Sequence, residues 1–113
     1  MKRALILSLA LAGVLTGVTH TAHAQDAQRG SGKVAMCEGC HQILGYQTGF
    51  PKAYRVPLIA GQDAKYIAAA LTAYRSGDRK FPTMRSIAAP LSDQDMADLA
   101  AFYARGNVKT AKQ

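Results

Sequence analysis

Residues 37–41 read Cys-Glu-Gly-Cys-His, and no other segment restricts the chain as strongly. Two thiols three positions apart, followed at once by an imidazole, form the signature for covalent attachment of a haem. The chemistry accounts for each position. The Cys37 and Cys40 thiols add to the two vinyl groups of one porphyrin, and their spacing on a turn or helix puts both sulfurs at one edge of the macrocycle. His41 is thereby brought to the iron, where an imidazole nitrogen coordinates it. Other uses of such a pair lack their context. A thioredoxin-like redox pair sits in a βαβ unit, for which the chain has no pattern. A structural zinc site needs four ligands, and no second Cys or His pair completes the set.

The first residues read as an export signal. Lys2 and Arg3 are followed by an uncharged, largely apolar run from Ala4 to Val18. Ala22-His23-Ala24 then offers small residues at the spacing a signal peptidase recognises. The run is shorter than the roughly 20 residues that span a bilayer. The expected arrangement is a cleavable signal at 1–24 and one monohaem domain at 25–113, in a periplasmic protein with no stable membrane insertion after cleavage. An exported chain with two Cys ordinarily forms a disulfide, but the haem motif overrides that default. The whole chain has 14 Lys and Arg against 7 Asp and Glu, and loss of Lys2 and Arg3 takes its net charge from +7 to +5. These bases are scattered among acids, with no aromatic-interleaved stripe, so nucleic acid is not the expected partner. Acidic proteins and anionic surfaces remain.

Processing also limits the iron ligands. His20 and His23 leave with the signal, so His41 is the only His of the mature chain. A bis-His haem within one chain is excluded, and the sixth ligand is Met, Lys, Tyr, water or nothing. Met36, Met84 and Met96 survive. Met36 directly precedes Cys37 on the proximal side. Met96 falls on the apolar face of a helix. Met84 follows Pro82 far enough from His41 for the chain to pass around the haem edge, and it is the favoured candidate. A thioether is a soft, neutral ligand that favours ferrous iron.

The chain reads as all-α, with three helices and two long loops. Asp26 to Met36 is a helix with Asp26 as N-cap, although Gly30 and Gly32 lower its propensity. Gln62 to Ser76 has Tyr66, Ile67, Ala70, Leu71 and Tyr74 at one-face spacing and Gly77 as its stop. Ser92 opens a third helix with Asp93 and Asp95 in its first turn, Met96, Leu99, Ala100 and Tyr103 on its apolar face, and Gly106 at its end. Residues 42–60 and 78–90 read as loops. Loops of that length in so small a domain are expected to wrap something.

With these residues in view, the sequence resembles a class I c-type cytochrome of the short bacterial kind. The resemblance covers nearly all of residues 26–105. It rests on Gly30 seven residues before Cys37, the 37–41 motif, Val56-Pro57-Leu58-Ile59-Ala60-Gly61-Gln62, Pro82-Thr83-Met84 and the run from Leu91 to Tyr103. It implies the cytochrome c fold around one haem c, bound covalently through Cys37 and Cys40 and ligated by His41 and Met84. It further implies that the first and last helices cross with Gly30 against Phe102, and that the Pro57 carbonyl accepts a hydrogen bond from His41. Gln42 departs from the pattern, since many relatives carry Gly there.

The expected function is one-electron transfer on a His/Met-ligated haem, with redox protein partners that present acidic docking surfaces. Lys52, Arg55, Arg79, Lys80 and Arg85 are the basic residues placed to steer such partners or pair with the haem propionates. A haem enzyme or gas sensor would need an open sixth position and a distal acid or base. A cytochrome subunit of a larger dehydrogenase or oxidase would use the same haem chemistry with a permanent partner. Tyr46, Phe50 and Tyr54 are candidates for its contact patch or for packing on the haem.

Overall fold

A computed structural model describes residues 25–49 and 53–106. These described residues hold five helices: α1 Ala27–Ser31, α2 Ala35–His41, α3 Ala64–Ser76, α4 Pro82–Ala88 and α5 Asp93–Ala104. A short antiparallel pair, β1 Gln47–Thr48 and β2 Tyr54–Arg55, joins Gln47 to Arg55 and Thr48 to Tyr54. The all-α expectation holds, but the count of three helices does not. The expected first helix is two. Around Gly32 the backbone closes i→i−3 bonds, Gly32 N–H to Arg29 at 3.2 Å and Lys33 N–H to Gly30 at 2.9 Å, and the helix restarts after Val34. The expected loop at 78–90 contains α4. Pro82 sits in the first turn of α4, where its fixed φ suits a helix and its missing N–H costs nothing.

The other two helices form where the spacing places them. Asp63 caps α3 by accepting from the Tyr66 N–H at 2.9 Å, and Gly77 ends it with φ +90°, which a side chain would strain. Ser92 and Asp95 form a reciprocal capping box at the start of α5. The core is Ile67 and Leu71 of α3, Ala88 of α4, and Met96, Leu99, Ala100 and Tyr103 of α5. Met96 therefore packs, as its position on the apolar face implies.

Helix α1 crosses α5 at Gly30. A Cβ there would lie 2.2 Å from the Asp98 carbonyl oxygen and 2.8 Å from the Phe102 Cβ. The crossing thus explains a glycine inside a helix, at the pairing with Phe102 that the resemblance implied. It also buries Asp98, which is 0 % exposed. A buried carboxylate must be fully partnered. Asp98 accepts from the Asp26 N–H at 3.0 Å, Arg29 Nε at 3.1 Å, Lys33 Nζ at 2.9 Å and Gln94 Nε2 at 2.8 Å. These donors, Arg29 foremost, hold its carboxyl well below the ordinary carboxylate range. Lys33 also pairs with Asp95 at 2.7 Å and, with Ser92, lowers that carboxyl to about 2.

Two outcomes follow from this crossing. Gly30→Ala forces α1 away from α5 and is expected to cost about 1–3 kcal/mol, or a fall in Tm on the order of 4–8 °C per kcal/mol, read by thermal unfolding. The second concerns acid. Because the folded Asp98 binds its proton only below the ordinary value of 3.8, its contribution is complete above that value and is lost as pH falls through the folded one. Asp98→Asn is expected to lower Tm at neutral pH and to make the acid limb of the stability curve shallower. An acid limb as steep as that of the unsubstituted protein would contradict it.

Candidate functional site

A cleft of about 360 Å3 lies against the core and shares Ile67 and Leu71 with it. Helix α3 contributes its whole apolar face, Tyr66, Ile67, Ala70, Leu71 and Tyr74. Cys37, Cys40 and His41 of α2 line it as well, with the segment Val56 to Ile59, and α4 adds Thr83, Met84 and Ile87. His41 and Met84, separated by more than forty positions in the chain, thus line the same cleft. The cleft is closed further by Tyr54 and Phe81, whose rings lie 5.0 Å apart.

His41 is oriented by the loop after β2. Its Nδ1 lies 2.7 Å from the Pro57 carbonyl oxygen. A carbonyl only accepts, so Nδ1 carries the proton and donates, and the lone pair is left on Nε2, the form in which an imidazole ligates a metal. The loop itself is tied at both ends, by the Val56 N–H to Tyr46 at 2.9 Å and by the Gly61 N–H to Tyr103 at 2.8 Å. Gln42 caps α2 with φ −108°. Any residue adopts that conformation, so the glycine common at this position in the family is not required here.

Cys37 and Cys40 are not joined to each other by a disulfide. Burial pushes the Cys37 thiol up, and its neighbour is Tyr103. Tyr103 is 1 % exposed; its hydroxyl is buried with no hydrogen bond of good geometry, and Cys37 and Gln42 are the polar side chains beside it. Burial raises the Tyr103 phenol far above its ordinary range. Met84 is half-buried on the wall. Met36, 58 % exposed, also borders the cleft, on the same helix as His41. Met96 does not border it. Of the expected basic residues, Arg79 lines the cleft while Arg55, Lys80 and Arg85 do not, and Lys52 lies outside the described residues. Tyr54 lines the cleft and Tyr46 does not; Phe50 lies outside the described residues.

The donor set suits a haem. Two thiols and a pre-oriented imidazole stand on one short helix, a thioether stands on another element, and the wall between them is largely apolar. Fold and site together define a covalent haem-binding domain. The chain belongs to the cytochrome c family, whose model matches residues 27–104. It is 36% identical to a cytochrome c4 of Stutzerimonas stutzeri over 107 residues, which covers 87% of this chain and 48% of that protein. It is 37% identical to a cytochrome c4 of Pseudomonas aeruginosa, covering 88% of the chain and 47% of the relative. It is 40% identical to cytochrome c-554(548) of Halomonas halodenitrificans over 83 residues, 71% of the chain and 95% of that protein. The chain spans about half the length of the cytochrome c4 relatives it matches. The family's cofactor is covalently held haem c, and this chain carries its two thiols at Cys37 and Cys40.

Sequence reasoning missed the Tyr103 hydroxyl and the Arg79–tyrosine contacts. The spacing marks Tyr103 only as an apolar-face residue; a hydroxyl at a core position is the signal that it does more. Nothing in the sequence joins Arg79 to Tyr66. Removal of an unpartnered buried hydroxyl is expected to be neutral or stabilising by about 1 kcal/mol, so Tyr103→Phe should match or exceed the parent Tm. A clear fall would reveal that the hydroxyl is partnered, by Cys37, Gln42 or a group of the haem-loaded site.

Proposed function

We propose that the chain is an exported one-electron carrier, with haem c attached through Cys37 and Cys40, His41 and Met84 as axial ligands, and residues 1–24 removed as a signal. The observation that carries this reading is the placing of two unlike ligand groups, the free Nε2 of His41 and the Met84 thioether, on the wall of one apolar cleft. The bound iron supplies a reversible change between ferric and ferrous. Everything else is the work of the protein. Pro57 holds the imidazole ring and strengthens it as a donor by accepting its Nδ1 proton. The Met84 sulfur, soft and uncharged, favours the ferrous state. The apolar side chains of α3 and the 56–59 segment exclude water, which disfavours the more highly charged ferric state. Among the described residues no carboxylate lines the cleft, and its one imidazole is committed to Pro57. That wall thus offers neither a carboxylate nor a second imidazole as a distal acid or base, which supports a carrier over a haem enzyme.

The exported chain's basic balance suits partners with acidic docking surfaces. No helix among the described residues is long and apolar enough to cross a membrane. A relative called thiosulfate dehydrogenase electron acceptor, from Stutzerimonas stutzeri, is 40% identical over 89 residues that make up 38% of its length. That name keeps the second reading in play, a cytochrome subunit of a larger dehydrogenase or oxidase. Co-purification with a partner at high salt would favour the subunit.

Met84→Ala separates attachment from ligation. Mass spectrometry is expected to find the haem still bound. The near-infrared charge-transfer band of Met-ligated ferric haem should vanish, and the ferrous form should bind carbon monoxide quickly. Persistence of the band in Met84→Ala, with its loss in Met36→Ala, would move the ligand to Met36. Absence of the band in the unsubstituted protein, with rapid carbon monoxide binding, would overturn the carrier reading.

A further inference from the structure

We infer that Arg85 is a positioning residue for Met84: its guanidinium seats on the Gly77 backbone at the end of α3 and holds α4 where the Met84 thioether faces the cleft. The inference rests on the reading of Met84 as a ligand. Thr83, Met84 and Ile87 of α4 line the cleft, and Ala88 is fully buried in the core. Successive residues of a helix point about 100° apart, so Arg85 leaves α4 on a different side from Met84, and it does not line the cleft. It meets the end of α3 instead. A Cβ on Gly77 would lie 2.6 Å from Arg85 Nη1, 3.3 Å from its Cζ and 3.7 Å from its Nη2. The head of Arg85 thus fills the space that a side chain at 77 would need, and the φ of +90° there reserves the position for glycine a second time.

The chemistry of the seat suits a cation. Gly77 closes α3 by donating its N–H to the Ala73 and Tyr74 carbonyls. The end of a helix carries partial negative charge, which favours a positive group beside it. Among the described residues no Asp or Glu forms an ion pair with Arg85, so no carboxylate draws the guanidinium away. The other anchors of α4 are apolar. Phe81, just before its first turn, lies 5.0 Å from the Tyr54 ring, and Ala88 sits in the core. Arg85 stands between them in the chain, next to Met84. For the thioether to leave an axial position, the helix that carries it must shift. A contact made only while α4 is docked opposes that shift; a contact that is the same before and after does not. Arg75 makes one of the second kind. It joins the last turn of α3 to the start of α5, through the Leu91 carbonyl at 2.9 Å and the Asp93 carboxylate.

The test is competition by imidazole for the ferric iron of the haem-loaded protein, followed at the near-infrared band, with Tm measured on the same samples. Imidazole binds only where Met84 has left, so the midpoint concentration reads how firmly Met84 is held. Arg85→Gln is expected to keep covalent haem and the band, and to bring the midpoint down roughly two- to fivefold, the range for a surface cation at a helix end. Arg85→Lys keeps the charge without the plane and should lie between it and the parent. Gly77→Ala puts a methyl in the seat and should lower the midpoint too; should it not mature, Arg85→Gln decides alone. Arg75→Gln is expected to lower Tm and to leave the midpoint at the parent value. An Arg85→Gln midpoint equal to that of the parent, with haem and band intact, would overturn the inference. So would an equal fall in Arg75→Gln, which would reduce the effect to a looser α3. A parent without the band would bring down Met84 as the ligand, a separate result.

Discussion

Helices α1 and α5 approach so closely that a single methyl at residue 30 would enter the backbone of Asp98. That contact sets the position of much that follows. Asp98 draws the Asp26 N–H, Arg29 and Lys33 onto α5, and only a short turn separates Lys33 from α2. The place of Cys37 against Tyr103 is therefore fixed by the crossing, and with it the end of the cleft where the thiols stand. A buried ion cluster is a costly way to join two helices, since each group must be stripped of water. Here every oxygen of the carboxylate is partnered, so the cluster specifies which helix face meets which.

The domain spends its apolar residues unusually. Its core among the described residues is small, and α3 gives Ile67 and Leu71 to core and cleft alike, with Tyr66, Ala70 and Tyr74 lining the cleft beside them. Small domains bury little of their surface and need a cofactor or a staple. A cleft walled by Ile, Leu, Met and aromatic side chains has that need built in, because filling it removes the wall from water. The cofactor is in this sense the missing part of the core. Polar work is left to a few groups with distinct partners: His41 to Pro57, the Tyr103 hydroxyl beside Cys37, and Arg79 to the tyrosines of α3.

Helices α3 and α5 could be read from their spacing because each obeys one local pattern, an apolar stripe closed by glycine, with Ser92 opening α5; the Asp63 cap that starts α3 two residues after Gln62 came only with the structure. The break at Gly32 and the start of α4 at Pro82 were obscured because glycine and proline each have two meanings. Glycine marks a loop or a close helix approach, and proline breaks a helix interior yet begins a first turn. The Asp98 cluster could not be read at all. An acid in a helix is ordinarily a solvated one, and only the packing of α1 on α5 makes this one buried.

By itself the sequence determined the local covalent chemistry: two thiols and an imidazole in five residues, one His in the expected mature chain, and three methionines as candidates to face it. Those properties depend on neighbours in the chain and survive any arrangement of the rest. The tertiary structure decided which groups meet. Helix α4 packs on α3 and brings Met84 to the cleft wall, α5 takes Met96 into the core, and the 56–61 segment delivers the Pro57 carbonyl to His41. Contacts across such separations are set by burial and backbone hydrogen bonding over the whole domain, and no local pattern encodes them.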